Sequence, residues 1–312
     1  MKNSLLIAVG GNSLIRAGQK GTVEEQITNA RLTAARIVDI AARGYRLVIT
    51  HGNGPQVGSQ LLRSEIASSQ TYTLPLDLCV AMTQGEIGFV LQNAIESALR
   101  ERKLHIPTAT LITKVLVDRN DPAFQRPTKP VGPFYSKEIA ERKRDELGWN
   151  IVEDAARGYR RVVASPKPIG IMELEVIQDC LERDCIMIAA GGGGIPVAYD
   201  DGHVCGVEAV IDKDRASALL ASQLRMERLA ISTEVDMVYL DFKSPDRRPL
   251  AAITVAEAKR YLAAGQFPEG SMGPKIEAAI DFLQEGGREV IITNPEHLLQ
   301  AAVGTEGTHI TP

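Results

Sequence analysis

The sequence predicts an α/β protein with a parallel sheet and helices on both of its faces. Apolar, strand-like runs alternate with helical stretches along most of the 312 residues, which is the rhythm of such folds. The hydrophobic fraction of 44% provides a core for one large domain or two smaller lobes. Three apolar runs also end directly in glycine-bearing loops, which begin at Gly10, His51 and Gly191. In open α/β sheets, ligands bind at the carboxyl ends of the strands, where such loops meet.

The first part of the chain alternates between the two kinds of element. Residues 5–9 form the first predicted strand, and the capping-box spacing from Thr22 to Glu25 opens a helix that continues to about residue 43. Gly44 is typical of a helix stop. The elements that follow are a strand at 45–50, helices to about 61 and from about 76 to 102, and a strand at 106–113.

Residues 114–168 interrupt this alternation. Prolines recur in the segment, and a charged run at 137–146 lies between them. A long interruption within a compact domain is usually functional or forms a small inserted subdomain. A decorative surface insertion is the alternative that the residues leave open.

The α/β alternation resumes after the interruption. Thr254, with Glu257 three residues later, caps one of the predicted helices. The predicted helices are 173–182, 212–224, 254–264, 274–285 and 295–303, and the predicted strands are 186–190, 229–233, 237–240 and 290–293.

Composition excludes several classes of protein. A net charge of −4 and a pI of about 5.8 lack the basic footprint of a nucleic-acid-binding protein. No apolar stretch approaches the roughly 20 residues that span a bilayer, and the first apolar run is shorter than a signal-peptide core. The four cysteines show no C-x-x-C pair and are too sparse for a disulfide framework. We therefore expect a cytoplasmic protein without nucleic-acid or membrane partners.

The glycine loops and two lysines indicate phosphoryl-transfer chemistry. Glycine lets the backbone approach a ligand closely and direct N–H groups at phosphate oxygens. Lys213 and Lys275 supply positive charge for a moving phosphoryl group. The spacings G-x-G-x-x-G and G-x-x-x-x-G-K-[ST] are missing, so a dinucleotide fingerprint and a P-loop are both excluded. We interpret the chain as a small-molecule phosphotransferase.

Three polar residues near these loops have competing interpretations. Asp212 precedes Lys213 at a predicted helix start, where it either caps the helix or holds the lysine in place. Lys275 follows Pro274 in a first helical turn, where a lysine opposes the helix dipole and is better explained by a bound anion. We expect His51 to pack or to form hydrogen bonds, because phosphoryl transfer to an oxygen that is already anionic needs no general base.

Seven blocks of sequence resemble the carbamate kinases of the amino-acid-kinase family, in order along essentially the whole chain. The blocks are 10–12, 50–58, 129–135, 160–163, 190–197, 206–213 and 270–275. The resemblance implies an αβα sandwich around a mostly parallel open sheet, with a protruding lid subdomain at about 115–166. It implies a single domain over 1–312, in which 1–210 form the carbamate and carbamoyl-phosphate lobe and 211–312 the nucleotide lobe.

The reaction that the resemblance implies is reversible phosphoryl transfer between ATP and carbamate, which gives ADP and carbamoyl phosphate. Family members that serve catabolism, with arginine metabolism as one setting, run the reaction toward ATP. The nucleotide implies Mg²⁺, which is held mainly by phosphates rather than by a cluster of carboxylates. The resemblance also implies a homodimer.

The resemblance assigns site residues by position. Lys213 and Lys275 would neutralise charge on the moving phosphoryl group and the bridging oxygen, and Asp212 would orient both lysines. Lys129 would reach in from the protruding subdomain as part of the lid. The implied phosphoryl and carbamate site consists of Gly10, Gly11, Asn12, Gly52, Asn53, Gly192 and Gly193. The implied nucleotide site includes Glu234, Tyr239, Met272, Pro274 and Lys275.

Two residues depart from the family pattern, and two other functions compete with the one implied. Ala164 stands where a proline is expected, and Glu234 stands where aspartate is common. The competing enzyme is another family member that acts on a different carboxylate or phosphate acceptor. The competing binding protein is a ligand sensor or storage protein on the same fold, against which Lys213 and Lys275 argue. An oxidoreductase is disfavoured by the missing dinucleotide fingerprint.

Overall fold

The computed structural model describes residues 3–16, 18–154, 157–268 and 270–312. The strands are β1 (Ser4–Val9), β2 (Arg46–His51), β3 (Thr108–Thr110), β4 (Lys114–Val117), β5 (Lys129–Tyr135), β6 (Asn150–Asp154), β7 (Gly158–Val163), β8 (Pro168–Ile171), β9 (Ile186–Ile188), β10 (Ile195–Asp200), β11 (His203–Gly206), β12 (Arg228–Ser232), β13 (Val238–Leu240), β14 (Arg248–Leu250), β15 (Ala252–Thr254), β16 (Glu289–Thr293) and β17 (Thr308–Thr311). The α-helices are α1 (Val23–Ala41), α2 (Gly54–Ile66), α3 (Leu76–Glu101), α4 (Lys137–Leu147), α5 (Leu174–Glu182), α6 (Lys213–Gln223), α7 (Val255–Ala263), α8 (Met272–Gln284) and α9 (Leu298–Ala302). Short 3₁₀ helices cover Gly11–Ser13, Pro122–Phe124 and Gly191–Gly193.

An eight-stranded sheet forms the centre of the molecule, in the order β15-β17-β16-β12-β1-β2-β9-β3. Its neighbouring strands are parallel except for β16 and β17, which run antiparallel. The α/β fold with a mostly parallel sheet is therefore confirmed.

The side chains of β1 alternate between two hydrophobic cores. Leu5, Ile7 and Val9 pack with α1, α3 and α9, whereas Leu6 and Ala8 pack with α5, α6 and α8. All five side chains are fully buried, as expected of a parallel strand that is covered on both faces. The sheet is thus the middle layer of an αβα sandwich.

Both predicted capping boxes are present. The Thr22 hydroxyl accepts a hydrogen bond from the N–H of Glu25 at 3.3 Å, and the Glu25 carboxylate accepts one from the N–H of Thr22 at 2.9 Å. Thr254 and Glu257 exchange the equivalent bonds at the start of α7. These bonds satisfy first-turn N–H groups that have no partner within the helix.

The interruption at 114–168 contains more regular structure than its sequence indicates. Its first residues form β4 and its last residue begins β8, and these strands pair within a second, four-stranded sheet of order β11-β10-β4-β8. The part between them, here called the inserted subdomain, consists of the antiparallel sheet β5-β7-β6 and α4. The predicted strand 106–113 is correspondingly too long, because the chain leaves the main sheet after β3 and enters β4 in the second sheet.

The predicted strand 237–240 lies outside the main sheet. It forms β13, which pairs with β14 in a separate two-stranded sheet. Among the helices that the structure describes, none is long and apolar enough to cross a membrane.

Candidate active site

Three glycine-bearing loops meet at one edge of the main sheet. They follow β1, β2 and β9, which are adjacent and parallel, so that their carboxyl ends point the same way. A Cβ on Gly10 would lie 2.7 Å from the carbonyl oxygen of Ser232, and one on Gly52 would lie 3.2 Å from the amide nitrogen of Gly11. The edge is thus built from closely spaced backbone, which suits the binding of phosphate oxygens. The side chain of Asn12 lies outside the described part of the chain.

The third loop packs against the loop after β2 and against the residues just before α6, through glycines in the left-handed conformation. Gly192 and Gly193 have φ angles of 70° and 93°, in the left-handed region that favours glycine. A Cβ on Gly192 would collide with the side chain of Asn53, and one on Gly193 would collide with the carbonyl of Ile211. The structure therefore brings together the backbone positions that the sequence assigned to the phosphoryl and carbamate site.

Buried hydrogen bonds hold the loop that follows β2. The Asn53 amide donates to the hydroxyl of Thr83 at 2.9 Å, and Nδ1 of His51 lies 3.0 Å from the carbonyl oxygen of Gly52. Burial lowers the pKa of His51 to about 4, with a smaller contribution from the charge of Lys213. The imidazole is therefore uncharged near neutral pH, in keeping with the packing and hydrogen-bonding role expected of it.

Gln84 of α3 is a site-forming residue that the sequence analysis missed. Its amide nitrogen donates to the carbonyl of Gly191 at 2.9 Å and to that of Thr113 at 3.1 Å, and its amide oxygen accepts from the N–H of Thr113 at 2.8 Å. The side chain is only 1% exposed. Gln84 and its neighbour Thr83 thus each hold one of the glycine-bearing loops. Their signal in the sequence is a polar pair on the otherwise apolar buried face of a helix.

Lys213 and Lys275 meet on one buried carboxylate, that of Asp214. Nζ of Lys213 lies 2.6 Å from Oδ1, and Nζ of Lys275 lies 3.0 Å from Oδ2. Burial by itself would raise the pKa of Asp214, but the two ammonium groups outweigh it and hold this pKa at about 2. The ionised carboxylate keeps both lysines in place.

Asp212 was expected to orient Lys213 and Lys275, but the structure shows that it contacts neither of their ammonium groups. Its Oδ1 accepts a hydrogen bond from the N–H of Asp214 at 2.9 Å and so caps α6, while its Oδ2 lies 2.9 Å from Nζ of Lys129. Burial raises the pKa of this carboxyl, but Lys129 reverses the shift and lowers the pKa below its usual value. The orienting contacts belong to Asp214, because that residue lies in the first turn of α6 and faces α8, which carries Lys275. Asp212 therefore caps a helix and also holds a lysine, but the lysine is Lys129.

The charges of this cluster favour an anionic ligand. The three ammonium groups of Lys129, Lys213 and Lys275 outnumber the two carboxylates of Asp212 and Asp214. The N-termini of α6 and α8 add partial positive charge at the same place. Fixed positive charge of this kind stabilises negative charge that develops on a transferring group. Within the described ranges, no group of three or more His, Cys, Asp or Glu side chains is arranged to hold a metal ion.

A separate pocket of about 130 Å³ lies at the start of α8. Its walls include Glu234, Tyr239 and Met272, three of the residues assigned to the nucleotide site. Pro274 lies in the first turn of α8, beside Lys275 and next to this pocket. The other lining residues are Thr233, Val235, Met237, Phe242, Gln266, Phe267, Pro268 and Ser271. Aromatic and apolar walls of this kind suit a flat base, and few polar groups are needed to orient it.

Known proteins match the chain over its whole length. The model of the amino acid kinase family matches residues 3–294. The carbamate kinase of Thermococcus kodakarensis is 47% identical over 310 residues, which cover 98% of each chain. That of Pyrococcus furiosus is 47% identical over 315 residues and covers all of both chains. A solved structure of carbamate kinase from Giardia lamblia bound to AMP-PNP superposes with a TM-score of 0.95 at 39% identity, and covers 99% of this chain and 98% of that one.

Proposed function

The chain belongs to the amino acid kinase family, among its carbamate kinases, and we propose that it transfers a phosphoryl group reversibly between ATP and carbamate, giving ADP and carbamoyl phosphate. The observation that carries the proposal is the pair of lysines on Asp214 beside the glycine loops. Phosphoryl transfer needs positioning and charge neutralisation more than proton transfer, and this cluster supplies both.

We assign each charged residue a role in the transfer. Lys213 and Lys275 neutralise the moving phosphoryl group and the bridging oxygen, and Asp214 orients them. Lys129 brings a third positive charge from the inserted subdomain and forms an ion pair with Asp212. The inserted subdomain, which forms most of the lid expected at about 115–166, thereby excludes water from a labile acyl phosphate.

The crowding of the glycine loops supports a small acceptor. Gly10, Gly52, Gly192 and Gly193 all lie where a single added carbon would touch or overlap neighbouring atoms. These loops are thus packed closely against their neighbours, which favours a small acceptor, and carbamate has only four heavy atoms. A larger carboxylate acceptor, the competing enzymatic function, would need a wider opening there.

The second half of the chain is assigned to the nucleotide. The base occupies the pocket at the start of α8, where Tyr239 and Met272 line the walls. The phosphates extend along the first turn of α8 toward Lys275 and Lys213. On this assignment, residues 1–210 bind carbamate or carbamoyl phosphate, and residues 211–312 bind ATP or ADP.

Mg²⁺ accompanies the nucleotide in this proposal and is held mainly by its phosphates. Asp212 and Asp214 are already engaged by lysines, so neither offers a free carboxylate to a cation. Mg²⁺ characteristically keeps several waters and binds substrate phosphates. When bound, the ion would neutralise phosphate charge, whereas the lysines above bind and orient the transferring group.

We also propose that the protein is a cytoplasmic homodimer and that it runs the reaction in the direction that forms ATP from carbamoyl phosphate. Large apolar side chains are exposed along one side of α3 and on the adjoining end of α2, as a self-association face would require. They are Leu62, Ile66, Leu78, Met82 and Phe89. The compartment rests on the composition of the chain, whereas the direction of flux and a setting such as arginine metabolism rest on the family resemblance alone.

A donor comparison tests the activity. The purified protein is supplied with ADP, Mg²⁺ and carbamoyl phosphate, and ATP formation is measured against the same reaction with acetyl phosphate. We expect carbamoyl phosphate to be strongly preferred. A lack of ATP formation, or preference for acetyl phosphate, would contradict the proposal, and a screen of larger carboxylate acceptors with ATP would then identify the competing enzyme.

A further inference from the structure

The inserted subdomain touches the body of the protein at both ends of β5. Lys129 begins this strand and pairs with Asp212 at the candidate active site. Tyr135 ends it, up to about 20 Å away along an extended strand. The second end carries contacts to which the proposed chemistry assigns no role.

These distal contacts converge on Glu65, in the last turn of α2. The Tyr135 hydroxyl donates to Oε1 of Glu65 at 2.9 Å, and Nζ of Lys143, from α4, lies 3.0 Å from Oε2. One carboxylate therefore binds two elements of the inserted subdomain at once. Burial and the carboxylate of Glu65 raise the pKa of Tyr135, so its phenol stays protonated and remains a donor.

Aromatic rings limit the freedom of this cluster. Nζ of Lys143 lies 4.7 Å from the ring centroid of Trp149 and 5.2 Å from that of Tyr135. The Lys143 side chain is 16% exposed and that of Glu65 is 26% exposed, so the ion pair is better shielded from water than one on an open surface. The cluster is thus a defined anchor, and not a pair of mobile surface charges.

The helix that carries Glu65 also follows directly on the glycine-bearing loop after β2, here called the substrate loop because the proposed function assigns it to carbamate. α2 begins at Gly54, directly after Asn53, and continues to the turn that holds Glu65. One turn into the helix, a Cβ on Gly58 would lie only 3.7 Å from Cα of Gly132 in β5. Helix and strand therefore lie side by side, with the substrate loop and Lys129 at one end and Glu65 with Tyr135 at the other.

We propose that Glu65 is a positioning residue for Lys129. Glu65 clamps the far end of β5 to α2, so that the near end places the ammonium group of Lys129 at Asp212. The effect of this clamp on the reaction rate rests on the proposed function. Without the clamp, the strand pivots where Gly132 meets α2 and Lys129 moves away from the phosphoryl site. A misplacement of about 1 Å in such a group costs up to about 100-fold in rate.

The kinetic test is a double-mutant cycle with Lys129. Glu65→Ala should lower kcat/KM for carbamoyl phosphate by about 10-fold and leave the KM for ADP nearly unchanged, because the clamp acts through one misplaced cation. In a Lys129→Ala background the same change should cost less than about 2-fold, since coupled residues are not additive. Glu141→Ala, at an exposed carboxylate of the same subdomain, is the matched control. A further loss of about 10-fold in the Lys129→Ala background, or an equal loss in the control, would overturn the proposal.

A second measurement does not depend on activity. Acetylation of individual lysines by acetic anhydride, followed by mass spectrometry, reports how well Lys129 is shielded by its ion pair. Its acetylation rate should rise several-fold in Glu65→Ala, whereas that of the distant Lys259 should stay unchanged. An unchanged rate at Lys129 would overturn the clamp. If the wild-type protein makes no ATP from carbamoyl phosphate, the proposed function fails, and this measurement still decides the role of Glu65.

Milder variants guard against loss of folding. Tyr135→Phe and Lys143→Met each remove one of the two bonds to Glu65 and leave the other in place. Each should raise the acetylation rate of Lys129 in the same direction as Glu65→Ala, but less. Wild-type rates in both, with wild-type thermal unfolding, would contradict the clamp.

Discussion

Two groups of ion pairs in the candidate active site are held in different ways. Lys213 and Lys275 share Asp214 between two packed helices, and their side chains are 14% and 16% exposed. Lys129 reaches Asp212 from the inserted subdomain and is 38% exposed. Core packing holds the first group in place, so we call it the permanent group. Under the proposed lid role the second group is conditional, because it forms only while the subdomain lies against the body. The site thus combines a preorganised pair of cations with a conditional third one.

Removal of a permanent cation should have the largest effect. Lys213→Ala is expected to lower kcat by about two to three powers of ten, which is typical for loss of one group that stabilises transition-state charge. The Kd for ADP should change far less, because the pocket for the base is untouched. Steady-state ATP formation and calorimetric titration with ADP would measure both, with the exposed Lys259→Ala as control. Near-normal turnover would remove Lys213 from the mechanism.

Removal of the conditional cation should have a smaller and more selective effect. Lys129→Ala is expected to reduce kcat/KM for carbamoyl phosphate by about 10- to 100-fold while ADP binding stays nearly intact, since a lid cation acts on one ligand. The amide hydrogens of β5 should also exchange more slowly when ADP and carbamoyl phosphate are both bound. Exchange that is indifferent to ligands, together with a kinetically silent variant, would make the inserted subdomain a surface decoration.

Acid should weaken the permanent group within a defined pH window. The folded-state pKa of Asp214 is about 2, below its ordinary value of 3.8, so the unfolded chain takes up the proton first as the pH falls. The stabilisation is complete above about pH 5, is lost as the pH falls through 3.8 toward 2, and amounts to about 2 kcal/mol in total. About half of it should be gone by pH 3. Urea unfolding at pH 6 and pH 3 should show this loss in the wild type and in the exposed control Asp246→Asn, but not in Asp214→Asn. Equal pH dependence in all three would contradict the assignment.

Substitution of Asp212 separates its two contacts and should have the smallest effect. Asp212→Asn keeps an oxygen that accepts the capping bond from the N–H of Asp214, but loses the charge that attracts Lys129. We expect the free energy of unfolding to change by less than about 1 kcal/mol and kcat/KM for carbamoyl phosphate to fall by about 10-fold. A loss of thermal stability with unchanged kcat/KM for carbamoyl phosphate would mean that the cap is its main role.

Local features were predictable wherever the physics acts between near neighbours in sequence. The strands that end at Gly10 and His51 were recognisable from apolar runs, and both capping boxes were recognisable from the spacing of Thr and Glu. The charges of Lys213 and Lys275 were recognised next to predicted helix starts. The interruption at 114–168 was recognised as a break, but not as two strands of a second sheet around a smaller subdomain.

Patterns in the amino-acid sequence were sufficient to predict the α/β alternation, the glycine-bearing strand ends, and Lys213 and Lys275 as candidate cations. The pairing of distant groups follows instead from how the elements pack: Asp214 meets Lys275 across 61 residues, Lys129 meets Asp212 across 83, and Gln84 meets Gly191 across 107. The physical reason is that strand and helix formation depend on patterns a few residues long. The partner of a buried charge or amide depends instead on how distant elements pack, which no local pattern contains.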